Sequence, residues 1–275
     1  VYRFKLPFDI EVEVPESDLP KHLVDKLKRG EKVKVVIMVE GEEEAEISPP
    51  PPYTTDSLLY DASALLRISA QEAMQIAQDL FELGFITYHR TDSTRVSGAG
   101  QVVARDYLKD KYPDVWESLY APRSWGIGGA HECIRPTRPI DVRRLREMIV
   151  EGIITPVKRL TKAHFKLYDL IFRRFIASQM AKARVRRQRV SIDIDGFRAG
   201  VERVVAVLDT GFLEVLPVVK AAPRVKPGIY DVLNLEVTTR RTVQLYTQGD
   251  LVRLMRERGI GRPSTYAKIV QTLLQ

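Results

Sequence analysis

Residues Gly84–Ser93 read G-F-I-T-Y-H-R-T-D-S. An apolar stripe of helical spacing precedes them (Ala73, Ile76, Ala77, Leu80, Phe81), so here an amphipathic helix gives way to extended chain. Ser69-Ala70-Gln71-Glu72 has the pattern of a capping box at the start of that helix, and Gly84 stands where a left-handed C-cap belongs. In an extended segment neighbours alternate sides, so Tyr88 and Arg90 face one way and His89 and Thr91 the other. A phenol beside a guanidinium suits phosphoryl transfer. The hydroxyl attacks a phosphodiester, and the planar cation holds the phosphate and its growing charge. Phenolate leaves more readily than a sugar alkoxide, so such a link reverses without fuel. By itself Tyr-x-Arg more often means a strand tyrosine near an unrelated surface arginine. Asp92 and Ser93 are turn formers, expected to support the loop by bonding to backbone amides.

Outward from this stretch, the middle of the chain reads as helix and the flanks as strand. Helices are expected at about 99–111, 143–151 and 162–182, the last burying Phe165, Tyr168, Phe172, Phe175 and Ile176. Upstream, Phe8, Ile10, Val12 and Val14 alternate with Asp9, Glu11 and Glu13, and Val33, Val35, Ile37 and Val39 repeat the period of two, with a short helix between them from Leu19 to Gly30. That pattern is expected to stop at Glu42-Glu43-Glu44, before the stiff run Pro49–Pro52. Strand character returns at Val190–Ile194, turns at Asp195-Gly196, and continues through 201–219 and 230–238. The economical reading is an α+β, multi-domain chain: a β-rich domain over 1–52 and 183–245, interrupted by a helical unit over 53–182. Residues 246–275 form a helix-turn-helix in which Thr247–Asp250 opens the first helix, Gly259 closes it and Ser264 caps the second. The turn sets Arg262 at a helix N-terminus, where free amides attract phosphate. The residues alone fit a DNA-binding corner and a plain packing corner equally well.

The chain has 275 residues and a net charge of +7, with no signal-peptide pattern and no apolar run long enough for a membrane span. One cysteine, Cys133, excludes an internal disulfide and fits a reducing cytoplasm, and with four scattered histidines it argues against a structural zinc site. Residues 123–189 hold 17 basic and 5 acidic side chains, whereas residues 1–60 hold 8 basic and 13 acidic, and this segregation makes the basic stretch the expected nucleic-acid contact. Asn234 is the one asparagine, a scarcity that fits a heat-adapted source. Val1 in place of Met, and an end at Gln275 one helix into a new element, read as an excised segment.

The string from Gly84 through Ser97 resembles the nucleophile segment of type IA DNA topoisomerases. Three further stretches resemble the same family in the same order: Gly129–Thr137 (G-A-H-E-C-I-R-P-T), Leu167–Met180 (L-Y-D-L-I-F-R-R-F-I-A-S-Q-M) and Tyr246–Ala267. The versions P-P-Y-T-T-D-S-L-L-Y-D-A-S and W-G-I-G-G-A-H-E-C-I-R-P-T-R look most like the ATP-driven reverse gyrase branch. The resemblance implies a β-rich arch interrupted by an inserted helical, winged-helix-like domain that carries the tyrosine, followed by the start of a helical DNA-binding domain, the whole enclosing a hole for DNA. It implies transient cleavage of single-stranded DNA through a 5′-phosphotyrosine link at Tyr88, with Arg90 on the phosphate and His131 bonding phosphate or assisting proton transfer. It also implies DNA contacts by Arg135, Arg262, Ser264 and Thr265. An ordinary phenol titrates near about 10, so the nucleophile needs that help at neutral pH. Magnesium and ATP are expected in metal-binding and helicase-like domains of a longer polypeptide, because no acidic constellation and no G-x-x-x-x-G-K-[ST] loop occurs here. The chain alone is therefore expected to bind single strands without full activity. A tyrosine recombinase also uses Tyr, Arg and His, but its tyrosine comes late, after H-x-x-R, whereas Tyr88 precedes His131 and the spacing here is H-x-x-x-R. Two rival readings need no nucleophile: a non-enzymatic DNA-binding module, which the basic stretch and the helix-turn-helix would serve, and a protein-only scaffold.

Overall fold

The computed structural model describes residues 1–239 and 245–274; residues 240–244, within the expected return to β-structure, and Gln275 lie outside the described residues. Two compact units emerge. One comprises Val1–Ile47, Lys182–Thr210 and the segment that starts at Pro217; the other comprises Ser48–Ala181, Gly211–Leu216 and the segment from Leu245. In chain order the elements are β1 (Tyr2–Leu6), β2 (Ile10–Val14), α1 (Lys21–Lys28), β3 (Lys34–Ile47), α2 (Thr55–Asp61), α3 (Ala70–Glu82), α4 (Gly98–Lys111), α5 (Trp116–Leu119), α6 (Val142–Val150) and α7 (Lys162–Ser178). They continue with β4 (Ala183–Ile194), β5 (Phe197–Asp209), β6 (Gly228–Asp231), β7 (Asn234–Val237), α8 (Gln248–Glu257) and α9 (Tyr266–Leu273).

The first unit holds two antiparallel sheets, ordered β2-β1-β7 and β5-β4-β3-β6. Phe4, Leu6, Ile10, Leu23, Val35, Ile37, Val190 and Ile192 share its core. Phe8 does not open a strand as its alternation suggested. It sits with Asp9 in the left-handed region (φ 64° and 57°), in the turn that joins β1 to β2. Its ring packs edge-on against Tyr230 at 5.3 Å, which anchors this unusual backbone. The hairpin at Asp195-Gly196 forms as expected, with positive φ at both residues. The 201–219 run, by contrast, ends as strand at Asp209 and turns into a short 3-10 helix over Gly211–Glu214.

The glutamate cluster does not stop β3. The strand runs on to Ile47 because β4 lies alongside it carrying cations in register: Arg186 reaches Glu44 at 3.0 Å, Arg184 reaches Glu44 at 3.3 Å and Lys182 reaches Glu46 at 3.0 Å. Arg187 meets Glu202 of β5 at 3.1 Å, and Arg224 meets Glu42 at 3.0 Å. Each exposed pair contributes only about 0–1 kcal/mol, but together they cancel charge. Lys182, Arg184 and Arg186, at the β4 end of the basic stretch, are therefore paired with glutamates of the acidic first part of the chain. Among the described residues, exposed cations without an ionic partner include Arg90, Arg138, Arg159, Lys162, Lys166 and Arg262, and also Arg189 on β4 itself.

In the second unit α3 begins on Ser69, whose Oγ accepts the Glu72 N–H at 3.1 Å, and ends in a Schellman turn. Gly84 (φ 75°) donates to Phe81 O at 2.9 Å and Phe85 donates to Leu80 O at 2.9 Å. Thr247 and Asp250 form a reciprocal capping box at the start of α8, and Gly259 (φ 67°) follows its end. α9 begins later than expected. Thr265 rather than Ser264 precedes it, and the Thr265 hydroxyl accepts the Arg262 N–H at 2.8 Å instead of capping the helix. Ser264 is exposed and makes no side-chain hydrogen bond to a described residue. Among the described residues no helix is long and apolar enough to cross a membrane.

Candidate active site

The Schellman turn delivers the chain from α3 straight into Phe85–Thr91, and hydrogen bonds brace this segment from two sides. Along one side runs Cys133–Thr137. Thr87 N–H donates to Arg135 O at 2.9 Å, Thr137 N–H donates to Phe85 O at 3.0 Å, and Ile86 bridges Pro136. The Thr87 hydroxyl donates to Cys133 O at 2.7 Å and accepts the Arg135 N–H at 3.0 Å. On the other side stands Thr55, fully buried in the first turn of α2. Its N–H donates to Thr91 O at 2.9 Å, and its hydroxyl accepts the Thr91 N–H at 2.9 Å. That hydroxyl also lies 2.7 Å from His89 O and 3.0 Å from Thr91 O, donating to one at a time. Sequence reasoning misses Thr55; the local sign of it is the T-T-D-S cap signature, whose Thr54 and Ser57 form a capping box. Thr55→Val is expected to leave the Thr91 N–H and His89 O unpaired, at roughly 1–3 kcal/mol for each buried orphan. Hydrogen exchange at residues 88–91 should quicken; exchange matching the wild type would refute the brace.

The expected alternation is present. Tyr88 is 44 % exposed and Arg90 and Asp92 are exposed, whereas His89 and Thr91 are buried at 1 % and 3 %. The Tyr88 hydroxyl, the Arg90 guanidinium and the exposed His131 imidazole make no hydrogen bond to any described residue, nor to one another. Asp92 does not support the loop by hydrogen bonding. That role falls to Thr91, whose hydroxyl accepts the Ser93 N–H at 3.1 Å, and to Ser93, whose hydroxyl accepts the Arg95 N–H at 3.1 Å. His131 lies at the foot of the loop Trp125–His131, which is tied to the stretch after Tyr88. Val96 N–H donates to Ser124 O at 2.9 Å, Cys133 N–H to Arg95 O at 2.9 Å, and Arg95 Nε to His131 O at 3.3 Å. The end of α7 secures the other foot: Trp125 Nε1 donates to Ser178 O at 3.0 Å, and the Gln179 side chain pairs with the Arg123 backbone at 2.9 Å in both directions.

Arg135 is not a surface cation. Only 7 % exposed, its guanidinium grips both oxygens of Glu132 at 3.1 and 3.0 Å and donates to Pro136 O at 3.0 Å. Gly100 makes room for it, since a Cβ there would come within 2.8 Å of Arg135 Nε. Burial opposes charge on Glu132, but hydrogen bonds from Arg135 and Ser97 hold its carboxyl below the usual range. Arg262 is exposed in the turn before α9, its guanidinium bonded among the described residues only to Gly261 O at 2.7 Å, and Ser264 and Thr265 follow it. The terminal helices reach the tyrosine segment through α2. Arg256 of α8 pairs with Asp56 at 2.9 Å, next to Thr55, and the Gln248 side chain accepts the Ala70 N–H of α3 at 2.8 Å.

His89 is the exception in this well-bonded region. Its ring packs against Tyr88 (centroids 5.4 Å apart) and Phe81 (6.0 Å), and neither ring nitrogen has a hydrogen-bond partner. Burial, helped by the charge of Arg90, lowers its pKa to about 4, so the ring is neutral near pH 7. Among the described residues no group of three or more His, Cys, Asp or Glu is placed to hold a metal ion.

The arrangement is an exposed phenol on a firmly braced segment, with an unengaged guanidinium two residues on and an exposed imidazole on the loop tied to Arg95. The chain belongs to the type IA DNA topoisomerases, and the family model described as DNA topoisomerase matches residues 10–275. Its fold is similar to that of full-length topoisomerase I from Thermotoga maritima (TM-score 0.72, 28 % identity), with 99 % of this chain and 46 % of that one covered. In sequence it is similar to reverse gyrases. It is 54 % identical to that of Pyrococcus furiosus over 85 % of this chain and 19 % of the relative. It is 48 % identical to reverse gyrase 1 of Aeropyrum pernix over 96 % and 20 %, and 46 % identical to the Pyrobaculum aerophilum protein over 97 % and 22 %. The chain spans about a fifth of the length of these curated relatives.

Proposed function

We propose that this chain supplies the strand-cleaving tyrosine of a reverse gyrase-like topoisomerase acting on single-stranded DNA in the cytoplasm. The observation that carries this reading is the pairing of a rigid backbone at Thr87–Thr91 with an exposed, unengaged Tyr88 hydroxyl. Tyr88 gives up its proton and attacks a backbone phosphorus. The new Tyr88 O–P bond forms as the bond to the 3′ oxygen of the preceding nucleotide breaks, and that oxygen takes up a proton. Tyr88 then holds the 5′ phosphate. After another strand passes through the gap, the freed 3′ hydroxyl attacks in turn and restores both DNA and phenol. Arg90 clamps the phosphate and balances its charge in transit, while His131 bonds a phosphate oxygen or carries the proton. Arg262, Ser264 and Thr265 guide the backbone. Tyr88 rides on the helical unit. Magnesium and ATP-driven positive supercoiling belong to the metal-binding and helicase-like domains of the longer polypeptide.

The test uses that full-length polypeptide with an end-labelled single-stranded oligonucleotide. Label linked to protein after denaturation is the expected result; label released completely would leave only a DNA-binding module. Affinity for the oligonucleotide should fall with salt. Arg90→Ala and Arg262→Ala should each reduce the logarithmic slope by about 0.7, as expected for one lost contact to single-stranded DNA. A slope unchanged in both variants would remove these residues from the DNA path.

A further inference from the structure

Buried polar side chains around the tyrosine segment are otherwise satisfied: Thr55, Thr87, Thr91 and Arg135 all make hydrogen bonds. Among the described residues, the buried side-chain atoms without a partner are Arg203 Nε, in the other unit, and the two ring nitrogens of His89. An apolar side chain would fill this place between Phe81 and Tyr88 without an unpaired polar atom. A buried polar atom left unpaired calls for an explanation, and a partner gained in another state supplies one. The neighbouring residue in the chain, Tyr88, is the one that changes chemical state.

Resting on the reading of Tyr88 as nucleophile, we propose that His89 is a positioning residue for the covalent state, donating a ring N–H to a non-bridging oxygen of the phosphate once it is attached to Tyr88. Thr55 holds His89 O and both backbone groups of Thr91, so carrying the ring to the phosphate falls to the side-chain torsions of His89. The ring is neutral, and so offers one N–H without adding a fixed charge to the phosphate site. In the uncleaved state that N–H has no partner, so its hydrogen bond favours the linked form over the free one.

The experiment compares Tyr88→Phe, His89→Leu and His89→Gln in the full-length enzyme. It measures oligonucleotide affinity, the fraction of DNA covalently linked at equilibrium, and hydrogen exchange over residues 81–92. His89→Leu should keep affinity within about twofold, slow local exchange because the orphan is gone, and lower the linked fraction about tenfold, the worth of one hydrogen bond to a charged group. His89→Gln, which restores a donor, should recover most of the linked fraction. A linked fraction in His89→Leu within twofold of wild type overturns the proposal. So does faster exchange with affinity and linkage falling together, which means packing alone. An adduct surviving Tyr88→Phe would instead remove the nucleophile, and the positioning role with it.

Discussion

Tyr88→Phe is expected to eliminate protein-linked DNA completely while leaving oligonucleotide affinity within about twofold. The substitution removes one oxygen from a ring that is nearly half exposed and whose hydroxyl makes no hydrogen bond, so nothing in the fold depends on that atom. The edge-on contact of the ring with Phe81, at 5.2 Å, survives. The brace from Thr55 and Thr87, made by their hydroxyls and by backbone groups, uses no atom of the Tyr88 side chain and survives as well. Binding and chemistry therefore separate cleanly at this residue. Gel analysis after denaturation reads the chemistry, and fluorescence anisotropy before denaturation reads the binding. An adduct of wild-type yield in the Phe variant would place the nucleophile elsewhere.

Arg135→Leu is expected to destabilise the fold by about 3–5 kcal/mol, the usual cost of stranding one member of a buried ion pair. Glu132 would keep only the Ser97 N–H, at 2.9 Å. The double variant Arg135→Leu with Glu132→Leu should recover much of that loss, because no lone charge is left behind. The pair also has a pH signature. The folded-state pKa of Glu132 is depressed, so its stabilisation is full above the ordinary carboxylate value near about 4.3 and is lost as pH falls through the lower folded value. The stability gap between wild type and Arg135→Leu should therefore narrow in acid, as read by denaturant titration at several pH values. A variant that keeps its stability but loses part of the salt slope of DNA binding would return Arg135 to the DNA path.

Arg90 and Arg135 illustrate what a sequence can disclose. Tyr88, Arg90 and their alternation with His89 and Thr91 are legible because helix end and extended chain are local matters, set by Ala73–Phe81 and Gly84. The same holds for Thr247, Asp250 and Gly259 around α8. Arg135 looks like a DNA contact because its neighbours in sequence reveal a cation and a proline. They do not reveal the recess opened by Gly100, 35 residues earlier, in which Glu132 captures it. Thr55 escapes notice for a similar reason, since its partners lie 34 and 36 residues away. The run Glu42–Glu46 reads as a connector because the cations that make it a strand sit some 140 residues downstream. The early strand β1 is a different case: Tyr2, Phe4 and Leu6 alternate visibly with Arg3 and Lys5, but the turn at Phe8-Asp9 carries the same alternation and so mimics strand.

At Gly249 the missing side chain matters mechanically. A Cβ there would come within 3.0 Å of the Tyr60 carbonyl and 3.2 Å of Ser63, so α8 rests directly on α2 without a cushion of side chains between them. Arg256 clasps Asp56 farther along the same contact. The terminal helices are thus seated against α2, which carries Thr55, and the Thr55 hydroxyl joins them to the carbonyl of His89, the residue after Tyr88.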